Sequence, residues 1–177
     1  PLVQQLPAGI DADRADDVCT ISIDTSGELL YKRGYRREVG HAPIRETTAA
    51  ALLMESQWEK YPLIVDPLCG SATFMLEAAL MACNRAPGIN RDFAFSFWPC
   101  FNESKWERLK REALQEERKN CRLQLVASDI SSDAIRASEE NLKNLGLDGA
   151  VKLSRQDCLS FKPESEEKGL IISNLPY

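Results

Sequence analysis

Apolar residues recur along this chain with two periods, and the switches between them predict its elements. Val18 to Ile23 alternates and is rich in β-formers, Thr25-Ser26-Gly27-Glu28 has turn composition, and Leu29-Leu30-Tyr31 resumes extended character. That combination predicts a hairpin. Residues 40–43 interrupt the pattern, and from Glu46 to about Trp58 the apolar Ala49, Ala50, Leu52, Leu53 and Trp58 recur at helical intervals. Leu63-Ile64-Val65 is a short continuous apolar run of the kind a fully buried parallel strand shows. It ends at Asp66-Pro67-Leu68-Cys69-Gly70-Ser71-Ala72-Thr73, after which Phe74, Leu76, Ala78, Ala79, Leu80 and Met81 predict a helix. Strand, tight loop of small residues and helix form the opening of a βαβ unit.

Residues 86–102 hold Phe93, Phe95, Phe97, Trp98 and Phe101, which read more readily as a satellite core under a long loop than as a binding surface. Ser104-x-x-Glu107 resembles a capping box for a helix to about residue 120, its many charges forming a solvated face. Residues 123–127 predict a second strand running into Ser128-Asp129, and Ser131 or Ser132 caps a helix that stops at Gly146. Val151-Lys152-Leu153 predicts a third strand ahead of Gln156-Asp157, and residues 170–173 a fourth ahead of Asn174. The element order predicts an α/β fold with a mostly parallel, Rossmann-like, doubly wound sheet. A boundary near residue 40 separates a hairpin and linker, residues 1–40, from the domain proper, residues 41–177.

Bulk properties narrow the classes. The 177 residues, 44% hydrophobic and 28% charged, are those of a globular domain with a real core. No apolar run approaches the ~20 residues of a membrane span. The start, Pro1-Leu2-Val3-Gln4-Gln5, has neither the basic flank nor the apolar core of a signal peptide and lacks Met, so a piece of a longer cytoplasmic protein is expected. Cys19, Cys69, Cys83, Cys100, Cys121 and Cys158 form no close pair, and His41 is the only histidine, so no metal site is expected. Widely spaced cysteines in apolar segments read as reduced thiols. The net charge of −5 gives no global attraction to nucleic acid. One local exception, Lys32-Arg33-Gly34-Tyr35-Arg36-Arg37, reads either as a solvated turn or as phosphate contacts (Lys32, Arg33, Arg36, Arg37) beside a stacking ring.

Candidate chemistry gathers at the strand ends. Ligands of open parallel sheets sit beyond the carboxyl ends of the strands, where this chain delivers Asp66, Asp129, Asp157 and Asn174. A single carboxylate there is commonly a helix cap; four consecutive strands ending in polar residues read as one ligand site. Gly70 and its small neighbours let backbone approach a ligand closely. Asp66 suits an ammonium or water, Asp129 both hydroxyls of a ribose, and Asp157 an adenine amino group between apolar walls from Ile130 and Cys158. This set fits a nucleoside carrying an amino acid, as in S-adenosyl-L-methionine. Phosphates fit worse beside several carboxylates. A dinucleotide fingerprint is lacking, since the loop holds one Gly where three are needed, and a P-loop lacks its Gly-Lys-Ser/Thr. Asn174-Leu175-Pro176-Tyr177 taken alone is a plain turn as readily as a device for holding a nucleobase by its exocyclic amine. In the second reading the Asn174 side chain and the Leu175 carbonyl each accept one amine hydrogen while Tyr177 stacks on the ring.

Residues 66–73 resemble the "DPxCGSGT" cofactor loop of amino-group methyltransferases, and residues 174–177 resemble their "NPPY-type" catalytic motif. Gly34-Tyr35-Arg36, His41-Ala42-Pro43-Ile44-Arg45-Glu46 with the helix after it, Glu77-Ala78-Ala79, and Ala86-Pro87-Gly88 are similar to the THUMP-containing 23S rRNA guanine-N2 methyltransferases, nearest to the type that makes N2-methylguanosine at position 2445. Ala72 stands where that family has Gly, and Leu175 where many members have Pro. The resemblance implies a class I methyltransferase fold that is incomplete at the C-terminus, and S-adenosyl-L-methionine held by Asp66, Pro67, Cys69, Gly70, Ser71, Thr73, Asp129, Ile130, Asp157 and Cys158. It also implies catalysis by Asn174, Leu175, Pro176 and Tyr177, and 23S rRNA as partner, bound mainly through a THUMP module of which residues 1–40 are the tail. On that basis the 177 residues are expected to be inactive alone. The same motif suits adenine N6 or guanine N2 in tRNA, and a non-catalytic RNA-binding module on this fold is the alternative from another class.

Overall fold

In a computed structural model, which describes residues 10–15, 18–36, 44–118, 123–162 and 168–175, a hairpin precedes the main sheet. Strands β1 (Ile10–Ala15) and β2 (Val18–Ile23) pair antiparallel, Ile10 opposite Ile23 and Ala15 opposite Val18. The hairpin predicted from Val18 to Ile23 therefore exists, but its partner lies upstream and not at Leu29–Leu30–Tyr31. The physical reason lies in the competing bonds. Asp24 Oδ1 accepts the Ser26 and Gly27 N–H groups and closes a turn. The Thr25 and Ser26 carbonyls accept from Phe95 and Ala94, and those of Leu29 and Tyr31 accept from Lys32 and Arg33. No ladder is left for a returning strand.

Helix α1 (Glu46–Glu55) ends before Trp58, because Gln57 takes a left-handed conformation (φ 55°) and a 3-10 turn follows over Trp58–Lys60. Then come β3 (Leu63–Asp66), α2 (Thr73–Ala82), α3 (Glu103–Gln115), β4 (Gln124–Asp129), α4 (Ser132–Leu145), β5 (Lys152–Arg155) and β6 (Gly169–Ile171). The four later strands form one parallel sheet in the order β5-β4-β3-β6. The expected parallel α/β architecture is present. Sequence order runs outward from β3 to β5 and then returns to its other side, so β3 is where the order reverses and its carboxyl end opens on a crevice.

Local chemistry explains the helices. Residues 71–80 are all buried, which suits α2 because its sequence is apolar apart from Thr73 and Glu77, both of which have polar partners. It packs with Leu53, Ile64, Leu125, Ala127 and Leu142 into one core. Each such large aliphatic side chain contributes about 1.5–3 kcal/mol by leaving water. By contrast, α3 buries none of its residues. Its cap is Asn102, whose side chain accepts the Lys105 N–H at 2.8 Å, and not the expected Ser104. The aromatic loop behaves as a satellite core: Phe93 and Phe95 stack at 5.1 Å, and both meet Trp106 of α3 edge-on. Ser131 caps α4 and Gly146 ends it at φ 64°. Cys19, Cys69, Cys100 and Cys158 are free thiols, but Cys83 is disulfide-bonded, so the expectation of reduced thiols fails at that position. Arg37, residues 40–43 with the expected domain boundary, Cys121, Pro176 and Tyr177 lie outside the described residues.

Candidate functional site

The loop after β3 is braced from three directions. Asp66, the last residue of β3, is 2% exposed, and its Oδ1 accepts the Leu68 N–H at 3.2 Å. Burial pushes the Asp66 carboxyl up to about 6; the Ser173 hydroxyl beside it and the Leu68 N–H oppose that rise, while the Asp129 charge adds to it. From β4, the Ser128 carbonyl accepts the Cys69 N–H at 2.9 Å and Asp129 Oδ2 accepts the Gly70 N–H at 3.0 Å. From α4, the Ser138 hydroxyl donates to the Gly70 carbonyl at 2.8 Å, and the Asn141 amide donates to the Ser71 carbonyl at 3.4 Å.

These bonds fix an unusual backbone. Gly70 (φ +53°) and Ala72 (φ 60°) both lie in the left-handed region. A Cβ added at Gly70 would meet nothing within 4 Å, so the outer side of the loop is open. Ala72 is the converse: it is fully buried and belongs to the hydrophobic core. The Cys69 thiol, pushed up to about 12 by burial and by the Asp66 and Asp129 charges, stays protonated and is a packing group, not a nucleophile.

The remaining strand ends are arranged on either side. Asp129 is half-buried, and its second oxygen accepts the Ser131 N–H at 2.9 Å, so each oxygen holds one backbone donor and keeps a free lone pair. Ile130 is 61% exposed beside it, with its carbonyl accepting from Arg155 at 2.9 Å. Asp157 is exposed and caps a 3-10 turn over Cys158–Ser160 by accepting the Leu159 N–H at 2.9 Å. On the opposite side, the Ile172 N–H donates to the Val65 carbonyl at 3.0 Å and keeps the chain extended past β6. That extension sets Ser173 beside Asp66 and exposes Asn174 and Leu175 just beyond. Asp66, Asp129, Asp157 and Asn174 thus share the carboxyl edge of one sheet, with β3 between the carboxylates of β4 and β5 and the Asn174 segment.

The basic segment is used differently from the phosphate-contact reading. Lys32 is exposed and pairs with Glu28 at 2.6 Å. Arg33 and Arg36 turn inward. Arg33 Nε lies 3.0 Å from Glu77 Oε1, which also accepts the Tyr35 hydroxyl at 2.7 Å. Arg36 Nε lies 3.5 Å from Glu46 Oε1, and the same guanidinium donates to the Ile44 carbonyl at 3.0 Å and to the Thr73 hydroxyl. Two carboxylates buried on α1 and α2 hold these cations, since a buried charge without a partner is strongly destabilising.

Ser138, Asn141 and Ser173 are marked by no motif, and Glu46 and Glu77 enter only as members of family-like segments, with no role attached. A signal existed for the first two: Ser138 and Asn141 share an apolar helix face with Leu142 and Leu145, where a polar residue needs a bonding partner. Among the described residues no group of three or more His, Cys, Asp or Glu side chains could hold a metal ion. No described helix is long and apolar enough to cross a membrane.

Residues 33–177 match the UPF0020 model, the RMKL-like methyltransferase domain. The chain is 39% identical over 173 residues to the ribosomal RNA large subunit methyltransferase K/L of Shewanella woodyi, which covers 95% of this chain and 24% of that relative. The chain thus spans about a quarter of the length of the curated relatives it matches. Among solved structures it is similar to SMU.472, described as a methyltransferase complexed with SAH, with a TM-score of 0.86 and 39% identity over 95% of this chain and 44% of that one. A second, described as a predicted N6-adenine-specific DNA methylase from Listeria monocytogenes, has a TM-score of 0.86 and 36% identity over the same shares.

Proposed function

This chain belongs to the family of RMKL-like methyltransferase domains, and from that premise we propose that it is the cofactor-holding part of an S-adenosylmethionine-dependent RNA methyltransferase. The target in this reading is the exocyclic N2 amine of guanine in 23S rRNA, methylated in the cytoplasm. The observation that carries the cofactor assignment is the loop at residues 69–72. Its backbone is locked by Asp129, Ser138 and Asn141, yet open in front of Gly70. A cationic, phosphate-free nucleoside fits an edge lined by Asp66, Asp129 and Asp157, where a phosphate would be repelled.

S-adenosylmethionine supplies an electrophilic methyl group when bound. Asp66 takes its amino-acid end, with Pro67, Cys69, Gly70, Ser71 and Thr73 shaping the loop around it. Asp129 accepts the ribose hydroxyls on its free lone pairs, and Asp157 accepts from the adenine amine between Ile130 and Cys158. Asn174 and the Leu175 carbonyl accept the two hydrogens of the target amine, which draws the nitrogen lone pair out of conjugation with the ring. Pro176 fixes the turn, and Tyr177 stacks on a base flipped out of the RNA. Holding nitrogen and methyl in line supplies several kcal/mol by positioning alone. The methylated amine loses its extra proton readily, so no strong base is required. Lys32 and Arg37 are the cations this reading keeps for RNA; Arg33 and Arg36 are turned inward.

The test is Asn174→Ala in the full-length protein: cofactor binding by calorimetry should persist while turnover falls at least about a hundredfold, as for loss of one key transition-state partner. Normal turnover would sink the mechanism. Absence of any heat with S-adenosylmethionine would favour a non-catalytic RNA-binding module. The likeness to the Listeria protein supports a second reading, adenine N6 as the target. Parallel assays on 23S rRNA, tRNA and DNA decide between them.

A further inference from the structure

We infer that Arg36, which lies outside the cofactor loop in sequence, is a positioning residue for cofactor binding and acts through the Thr73 hydroxyl. The inference rests on the cofactor reading above. Thr73 is the first residue of α2 and follows Ala72, the left-handed residue that turns the loop into the helix. Ala72 offers no side-chain cap to α2, so the first turn of that helix gains no orientation from its own N-cap. What orients this turn is Arg36. Its guanidinium reaches three elements at once: Glu46 on α1, the Ile44 carbonyl ahead of α1, and Thr73. Its side chain is 10% exposed. The planar fork of arginine can meet three acceptors in fixed directions, whereas lysine offers a single point charge.

Neighbouring groups reinforce the arrangement. Arg33 and Tyr35 converge on Glu77, one turn along α2 from Thr73, and the Asn144 amide donates to the Tyr35 carbonyl at 3.2 Å. Residues 33–36 therefore tie α1, α2 and α4 together at the inner side of the loop, while Ser138 and Asn141 hold its carbonyls. The Arg36 Nε and Glu46 Oε2 atoms are buried without a well-formed hydrogen bond, so the Arg36–Glu46 attraction is chiefly electrostatic. The directed bonds of Arg36 go to Ile44 and Thr73.

The experiment is a double-mutant cycle on the full-length protein, with S-adenosylmethionine affinity by calorimetry and melting temperature as separate readouts. Arg36→Lys keeps the charge facing Glu46 and loses the fork; Thr73→Val keeps the shape and loses the acceptor. Each should weaken affinity about tenfold, the scale of one hydrogen bond to a charged group. The double variant should be no weaker than either single one, the signature of a shared interaction. Glu46→Gln, measured alongside, should weaken affinity in the same direction by releasing the guanidinium. Variants that melt lower but bind with wild-type affinity would overturn the proposal and leave a purely structural role. Additive losses in the double variant would overturn it as well. Failure of the wild-type protein to bind would instead overturn the cofactor reading and this inference together.

Discussion

Asp129 accepts the backbone N–H of Gly70 at 3.0 Å, so the end of β4 holds the loop that follows β3. The same carboxylate accepts from Ser131 at the start of the helix beyond it. Asp129→Ala should therefore destabilise the fold by about 1–3 kcal/mol, the range for orphaning partly buried donors. Asp129→Asn, with one good acceptor left, should fall between the two. Denaturant unfolding checks the order, and an alanine variant as stable as wild type would show that the brace contributes nothing.

Glu77 should make stability fall as the solution becomes less acidic. Its carboxyl is pushed up from 4.5 to about 7, first by burial, with the Arg33 charge and the Tyr35 hydroxyl opposing and the Glu46 charge adding. The folded state thus binds the proton more tightly than the unfolded chain does. Its stabilising contribution is complete below pH 4.5 and is lost as pH rises through about 7. Melting curves at intervals across that window should show a decline that Glu77→Gln flattens. An identical slope in the variant would refute the assignment.

Asp66 predicts two opposite trends. Its folded value of about 6 against 3.8 means that its own contribution to stability is complete below pH 3.8 and is lost as pH rises through about 6. Affinity for the cationic cofactor should move the other way, weakening below about pH 6 as the carboxylate gains its proton. Calorimetric titrations between pH 5 and pH 8 test this, with Asp66→Asn expected to bind weakly at every pH.

Ala72 sits at φ 60° with no exposure. Glycine there relieves about 1–2 kcal/mol of left-handed strain. Against this stand about 0.8 kcal/mol of lost methyl burial and about 0.5–1 kcal/mol of added chain freedom. Ala72→Gly should therefore be near neutral, within about 1 kcal/mol. Ala72→Val should cost about 3 kcal/mol, because a β-branched residue in that conformation is strained and the site is already filled. Thermal melts of the two variants separate these outcomes.

The parallel strands were legible because each is a short apolar run ending in a polar residue. The tight loop after β3 was legible because small residues stand between a buried apolar run and a helical one. Two kinds of error share one cause. Leu29–Leu30–Tyr31 looked extended, yet its carbonyls bond locally and to Arg91, a partner sixty-two residues away. Arg33 and Arg36 looked like surface cations because their charge is visible in sequence, whereas the buried Glu77 and Glu46 that hold them come from helices far along the chain. Periodicity reports burial well. It does not report which distant polar group will meet which, and that pairing decided both cases.

Helices α2 and α3 should answer a saturation library in opposite ways. Every residue of Thr73–Ala82 except Met81 is buried, whereas Glu103–Gln115 buries none. The first stretch should read as a near-blank band in which almost no change in size or polarity survives. The second should read as a permissive one, set only by its Asn102 cap and the Trp106 contact. A fluorophore, affinity handle or crystallisation mutation therefore belongs on α3, which buries none of its residues.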